Sequence, residues 1–515
     1  MKNKHRVMIV SVLTVIGTFV AQTELVGTKY RTHQHIEYPS IEDTIPDIEK
    51  AIIEDEISQT HYNSNAIDIN KLKTHLPLVK IETAEDIPGV PYYDEGSSHR
   101  KYTTTSDGAT VLPATMQIID NHNTYNTVND APAVSSNITI RVRGNTSRWF
   151  EKNSYAVTTV DGNGDEQNRM IMGMESAHDW VLHGPFLDKT LMRNYMAMNF
   201  SGEIMDYAPD VRFCEVLLNN EYRGVYVMME TVSRGEGRVN IEKPNLTKNV
   251  TGYIIEIDNA TTRPVSSLNN FTKYVSVLRK DSFFDLVYPG EETITLALKD
   301  YIERDVSKFE KALYSFDYDT LANGFHNYID MEEFADYFIL MEVFLQHDTG
   351  NLSTYFYKDV NGKFKPCVWD FNNDLENIST VNDDDFFIRQ FVTVQAPWFW
   401  MMIKDESYIN LIISRYHEFR KGILSDENVL QYIQDVIDYL GEAVDRNYAV
   451  WAHTFNPDSV DFRNKLHPDE RNPANYEEAI KQMTDELIGR LAWLDENIEV
   501  LKQYCHESAV KKFNH

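Results

Sequence analysis

Cysteine is nearly absent from this chain of 515 residues: Cys214, Cys367 and Cys505 stand far apart, and no C-x-x-C occurs. That excludes a disulfide framework, leaves at least one thiol unpaired within the chain and argues against a structural zinc site. Basic residues are scarce, with 49 Lys and Arg against 79 Asp and Glu and a formal net charge of −30. Such a surface repels phosphate backbones, which argues against nucleic-acid partners, and it suits divalent cations and basic protein partners. Long apolar runs are missing outside the first residues. Val7–Ala21 is uncharged and mostly apolar and follows Lys2, Lys4 and Arg6, but it is shorter than the ~20 residues of a spanning helix. The pattern predicts a secretory signal over residues 1–25 and therefore export. Phe19 is a poor −3 residue for cleavage after Ala21, so an uncleaved signal anchor, with membrane attachment through the N-terminus, stays open. Also missing are G-x-x-x-x-G-K-[ST], H-E-x-x-H and G-x-S-x-G. Asp161-Gly162-Asn163-Gly164-Asp165 opens like an EF-hand loop, but Glu166 replaces the required Gly and Met172 the closing Glu, which leaves a hairpin turn.

What is present is a globular composition, 42% hydrophobic and 12% aromatic. Residues 26–75 read as an acidic leader, with Glu42, Asp43, Asp47, Glu49, Glu54, Asp55 and Glu56 opposed by Lys50 and a brief helix near Ile48–Ile57. From residue 76 strand signals dominate: Leu78–Ile81, Thr115–Ile119, the alternating Asn137–Arg143, Ser154–Val160, and a hairpin of Val211–Leu218 and Gly224–Glu230 across Asn219–Tyr222. Leu187–Phe200 reads as the one inserted helix. The second half is helical by period over Tyr301–Leu313, Met331–Gln346, Tyr408–Lys421, Asn428–Tyr448 and Tyr476–Leu501, with Asp426 and Asn475 as N-caps. A small hairpin, Ser353–Tyr357 and Phe364–Trp369, lies between helices. The expected fold is α+β and two-lobed: a β-rich lobe over about 76–235, then a mainly helical lobe over about 236–510.

The chemistry concentrates at that hairpin. Asp348 precedes it and Asp370 follows it, and a hairpin brings its ends together. One acid can then accept a hydroxyl proton while the other holds a cation on a phosphate, with Asn351 adding a neutral oxygen. Either Asp alone would more ordinarily serve a turn. The order of base, Asn and metal-binding Asp follows a kinase catalytic segment, although Asn351 comes only three residues after Asp348. The first half supplies cations for phosphate: Arg141, Arg143, Arg148 and Lys152, then Lys189 and Arg193. Lys152, Lys189 with Arg193, and two strands ending at Glu230 follow the order of a kinase small lobe, which would set Met229–Val232 against adenine. Asp383–Asp385 reads as a solvated loop able to attract a basic segment, and Phe386, Phe387, Phe391, Trp398, Phe399 and Trp400 as core.

These residues resemble the CotH (spore-coat protein H) kinase family of atypical protein kinases. The resemblance runs through IRVRGNTSRWFEKNSYAV at 140–157, LHGPFLDKTLMRNYMAMNF at 182–200, FCEVLLNNEYRGVYVMMETV at 213–232, TGYIIEID at 251–258, HDTGNLSTYFYKD at 347–359, VWDFNND at 368–374 and LIGRLAWLDENIEVL at 487–501. It implies a kinase-like fold and Mg²⁺- and ATP-dependent phosphorylation of Ser or Thr in a protein, expected here to be basic. Asp348 then matches the catalytic aspartate and Asp370 the metal-binding one. Asn351 and Asp374 are further candidate ligands, and Lys152, Arg143, Arg193 and Glu230 belong to the nucleotide site. Asn372 departs from the family's W-D-[FY]-D, which keeps two other readings open: a non-catalytic surface-binding module, and transfer of AMP to protein.

Overall fold

The computed structural model describes residues 51–52, 61–121, 124–259, 265–274, 282–378 and 389–513. The signal segment, the acidic run from Glu42 to Glu49, most of the Ile48–Ile57 stretch, Asp383–Asp385, Phe386 and Phe387 lie outside them. The chain is α+β. Seven of the described strands close into a barrel: β1 (Leu78–Thr83), β2 (Leu112–Ile119), β3 (Val134–Val142), β4 (Tyr155–Val160), β5 (Asp179–His183), β6 (Val211–Leu218) and β7 (Glu221–Glu230). Their spatial order is β5-β7-β6-β1-β2-β3-β4, with β4 pairing back to β5. The β6–β1 pair is parallel and the other pairs are antiparallel. Alternate residues such as Ile118, Ile138, Ile140, Val157, Trp180, Val216 and Met228 fill the interior, as the two-residue side-chain period requires. Asn219 and Asn220, both at positive φ, close the β6–β7 hairpin, a two-residue turn that asparagine tolerates.

A second sheet runs β9-β8-β10-β11, from β8 (Tyr253–Asn259), β9 (Ser282–Tyr288), β10 (Thr354–Lys358) and β11 (Lys365–Cys367). Around it pack α1 (Arg193–Ile204), α2 (Leu296–Leu313), α3 (Met331–Val343), α4 (Glu406–Phe419), α5 (Asp426–Leu440) and α7 (Tyr476–Asn497), while α6 (Glu442–Trp451) leans on β7 of the barrel. Trp398 and Phe399 are core, and the Trp398 indole N–H donates to Glu310 Oε1 at 3.1 Å. No helix among the described residues is long and apolar enough to cross a membrane.

Four differences from the sequence expectations have local causes. The helix read over Leu187–Phe200 starts at Arg193, because the Asp188 carboxylate accepts from the Thr190 and Arg193 amides at 3.0 and 2.9 Å and holds a turn first. The helix read as continuous over Asn428–Tyr448 is two, because Gly441 (φ 46°) ends α5 while the apolar period carries on into α6. Its N-cap is Ser425, whose hydroxyl accepts from the Asn428 amide, not Asp426. The folded body also starts before residue 76: Ala66, Ile67 and Leu72 are buried beside Trp451, and the Tyr62 hydroxyl donates to the Tyr222 carbonyl at 2.6 Å.

Candidate functional site

The end of α3 delivers the first acid. Leu345 takes φ 51°, the chain turns through residues 347–352, and the Asp348 carbonyl accepts from the Asn351 and Leu352 amides at 2.9 Å each. Gly350, at φ 72°, lies against Ala396, where an added Cβ would sit 2.5 Å from the Ala396 Cβ. Gly350→Ala is therefore expected to cost roughly 1–3 kcal/mol from the left-handed backbone and the overlap together. A urea-unfolding midpoint measures this, and an unchanged midpoint would show that the turn relaxes freely.

The second acid follows β11. Asp370 holds φ 62° and ψ 59°, a left-handed conformation in which aspartate is tolerated. Its carbonyl accepts from the Gln346 side-chain amide, which ties it to the turn of Asp348. Its carboxylate accepts from Ser353 Oγ at 3.4 Å and from the Asn372 amide. Enclosure by protein pushes the Asp370 carboxyl above the usual carboxylate range; Arg143 opposes that push and Asp258 adds to it.

Asp348 and Asp370 line one cleft of about 740 Å³ between the barrel and the second sheet. Glu256, Asp258 and Asp285 join them from the sheet. Glu256 stands directly opposite Asp285 in the β8–β9 register, and Asp258 is two residues on, on the same face. Arg141, Arg143, Arg148 and Arg100 face them from the barrel side. The Arg143 guanidinium lies 5.5 Å from the Trp369 ring centroid. Arg148 braces the 144–148 loop, donating from Nε to the Gly144 carbonyl at 2.6 Å and from a terminal nitrogen to Gly89 at 3.2 Å. A side slot of about 290 Å³ shares Arg141, Arg143, Tyr355 and Trp369 with the cleft and continues past Ala156, Thr158 and Val181 to Thr231 and Val232. This arrangement can bind a polyanion with its counter-cation and stack an apolar ring alongside.

Six of the sequence candidates, Lys189 among them, are not brought to the cleft. Lys152 precedes β4, buried on the α6 side of the barrel, where its Nζ donates to Asn447 Oδ1 at 2.7 Å and lies 5.1 Å from the Tyr226 ring. Burial and the neighbouring Lys189 push this amine well below the usual lysine range. Arg193 sits among Asp188 at 2.8 Å, Asp374 at 3.5 Å and Glu486 at 3.6 Å. Asp374, the partner of that arginine, is fully buried. Glu230 accepts the Asp210 amide at 3.0 Å and pairs with Arg238 at 3.6 Å. Asn351 donates its side-chain amide to the Thr349 carbonyl at 3.3 Å. The sheet acids went unread, although Ile255-Glu256-Ile257-Asp258 alternates buried aliphatics with acids, which is the signal that marks them.

Among the described residues no three His, Cys, Asp or Glu side chains are arranged to hold a metal ion by themselves. Asp348 and Asp370 nevertheless both line the cleft, and hard carboxylate oxygens are the donors that Mg²⁺ takes when phosphate and water complete its shell.

A barrel and an acid-lined sheet enclose one cleft of mixed charge. The model of the family described as CotH kinase protein matches residues 140–494, and the chain belongs to that family. The chain is also similar to "Inner spore coat protein H" of Bacillus subtilis (strain 168), 26% identical over 204 residues. That match covers 37% of this chain and 52% of the relative, so the chain spans about half the length of the curated relative it matches.

Proposed function

We propose that this protein is an atypical protein kinase with a two-lobed kinase-like arrangement, the barrel above and the second sheet with its helices below. It transfers the γ-phosphoryl group of ATP to a Ser or Thr hydroxyl of a protein. The observation that carries this reading is that Asp348 and Asp370, from the two ends of the β10–β11 hairpin, line one cleft opposite Arg141 and Arg143, with a side slot leading off it. In this reading the base of ATP enters the slot beside Thr231 and Val232, and its phosphates run toward the arginines. Asp348 accepts the substrate hydroxyl proton, the new P–O bond forms at that oxygen, and the bond to the ADP oxygen breaks. Asp370 is the residue that would hold Mg²⁺, which when bound supplies neutralisation of the phosphate charge. Arg141 and Arg143 meet the phosphates, a duty the sequence had assigned in part to Lys152 and Arg193. The acids at the cleft and a net charge of −30 favour a basic substrate. The coat location named for the bacterial relative, with the cationic start and apolar Val7–Ala21 stretch, supports an exported or coat-associated site of action.

The remoteness of Lys152 from the cleft favours a second reading, a non-catalytic module that binds nucleotide without transferring phosphate. One experiment separates the readings: incubation with Mg²⁺, a basic Ser-rich peptide and ATP labelled at either the γ- or the α-phosphate. The kinase reading expects label from the γ-position alone, and label from the α-position means AMP transfer. No label, together with a raised unfolding midpoint (about 2.7 kcal/mol of stabilisation at a hundredfold excess over Kd), means binding only.

A further inference from the structure

A chain of side chains with no formal charge runs from the barrel to Asp370. Ser154 Oγ accepts from the Gly184 amide at 3.0 Å and lies 3.3 Å from His183 Nδ1. His183 Nε2 lies 3.3 Å from the Asn194 amide nitrogen. The same Asn194 nitrogen donates to Asn372 Oδ1, and Asn194 Oδ1 accepts from the Phe371 backbone amide at 2.9 Å. Asn372 then donates its own amide to Asp370 Oδ1. The donor count leaves one assignment. Both Asn194 side-chain hydrogens are used, one toward His183 Nε2 and one toward Asn372, so Nε2 must be the acceptor and Nδ1 must carry the imidazole proton. Burial, with Arg143 and Lys152 nearby, holds the imidazole down to about 3, in keeping with a neutral ring.

We infer that His183, Asn194 and Asn372 are positioning residues: a neutral hydrogen-bonded relay that fixes the direction in which the Asp370 carboxylate faces the cleft. The relay joins β5, α1 and the loop after β11, so it also registers the barrel against the second sheet at the point where the metal-binding acid is needed. A carboxylate that must rotate into place binds a cation more weakly than one held there, and groups that orient a metal ligand typically change metal affinity 10–100-fold. The inference rests on the reading of Asp370 as the metal-binding acid.

The test uses the full chain, Mn²⁺ as the probe with ADP present, and binding read by electron paramagnetic resonance. Wild type is compared with His183→Phe, which removes the acceptor, and Asn372→Leu, which removes the donor to Asp370. Both variants are expected to bind Mn²⁺ roughly 10–100-fold more weakly while keeping their folded spectra. Asn372→Gln, which retains an amide, is expected to recover part of the loss. A separate nitrogen-15 spectrum of His183 at pH 7, without metal, is expected to show the Nδ1-protonated neutral ring. Equal Mn²⁺ affinity in wild type and variants, or an Nε2-protonated ring, overturns the relay. If wild type binds no Mn²⁺ while the ring is Nδ1-protonated, the reading of Asp370 as a metal-binding acid fails and the positioning role fails with it, but the hydrogen-bond network stands.

Discussion

Asp370→Asn protein is expected to fold normally and to lose phosphoryl transfer by on the order of 10³-fold or more, about 4 kcal/mol at 1.36 kcal/mol per tenfold. Asparagine is the informative replacement. Position 370 has φ 62°, which asparagine adopts readily and alanine does not, so alanine would mix backbone strain with loss of the charge. Asparagine also retains one oxygen, enough for Ser353 Oγ or for the Asn372 amide but not for both. It removes the charge that protein enclosure and Asp258 disfavour, so the unfolding midpoint is expected to hold or rise. Transfer of γ-phosphate label to the basic peptide, measured beside thermal unfolding of both proteins, gives the result. Equal labelling by wild type and variant contradicts the assignment.

Arg490→Met is expected to lose about 3–5 kcal/mol of stability, the cost of breaking one side of a buried ion pair. Arg490 is fully buried in α7 and reaches the C-terminal end of α3, donating from Nε to the Glu342 carbonyl at 2.7 Å and from a terminal nitrogen to the Glu342 carboxylate at 2.6 Å. That carboxylate also accepts from the Val392 and Thr393 amides, at 3.0 and 2.6 Å. Without Arg490 it stays in place, buried, as an unpaired anion. The sign with pH follows from burial, which already holds the Glu342 carboxyl above the usual carboxylate range. A carboxyl raised in the folded state contributes most below the unfolded value, and that contribution is lost as pH rises through the folded one. The deficit of the variant is therefore expected to be smaller near pH 5 than near pH 8. Urea unfolding at the two pH values measures it, and a deficit independent of pH would contradict the account. Because α3 leads directly into the turn of Asp348, the same change is expected to loosen the cleft.

The two acids were legible because the signal was local: a largely apolar helix ending at a turn, two short strands and an Asp at either end. β6 and the hairpin turn at Asn219 and Asn220 were legible for the same reason. The sheet that carries the β10–β11 hairpin was not. β8 and β9 pair with each other, and β8 with β10, across large sequence distances, so no local pattern announces Glu256 opposite Asp285. Closure of the barrel depends on β5, a five-residue strand to which the sequence reading assigns no element. The cationic candidates were misjudged where side-chain direction decides. Lys152 lies just before its strand and on the far side of the barrel, and Arg193 is claimed by three acids, two of them remote in sequence. Arg143 does reach the cleft, because it directly follows an alternating strand whose outward positions open there.

The most direct measurement is a crystal of the full chain grown with Mn²⁺ and a non-hydrolysable ATP analogue, with the metal located by its anomalous signal. The account predicts a manganese peak within coordination distance of Asp370, phosphates between it and Arg141 or Arg143, and the base beside Thr231 and Val232. Metal and triphosphate bound away from Asp348 and Asp370, or a cleft closed by packed side chains, would contradict it.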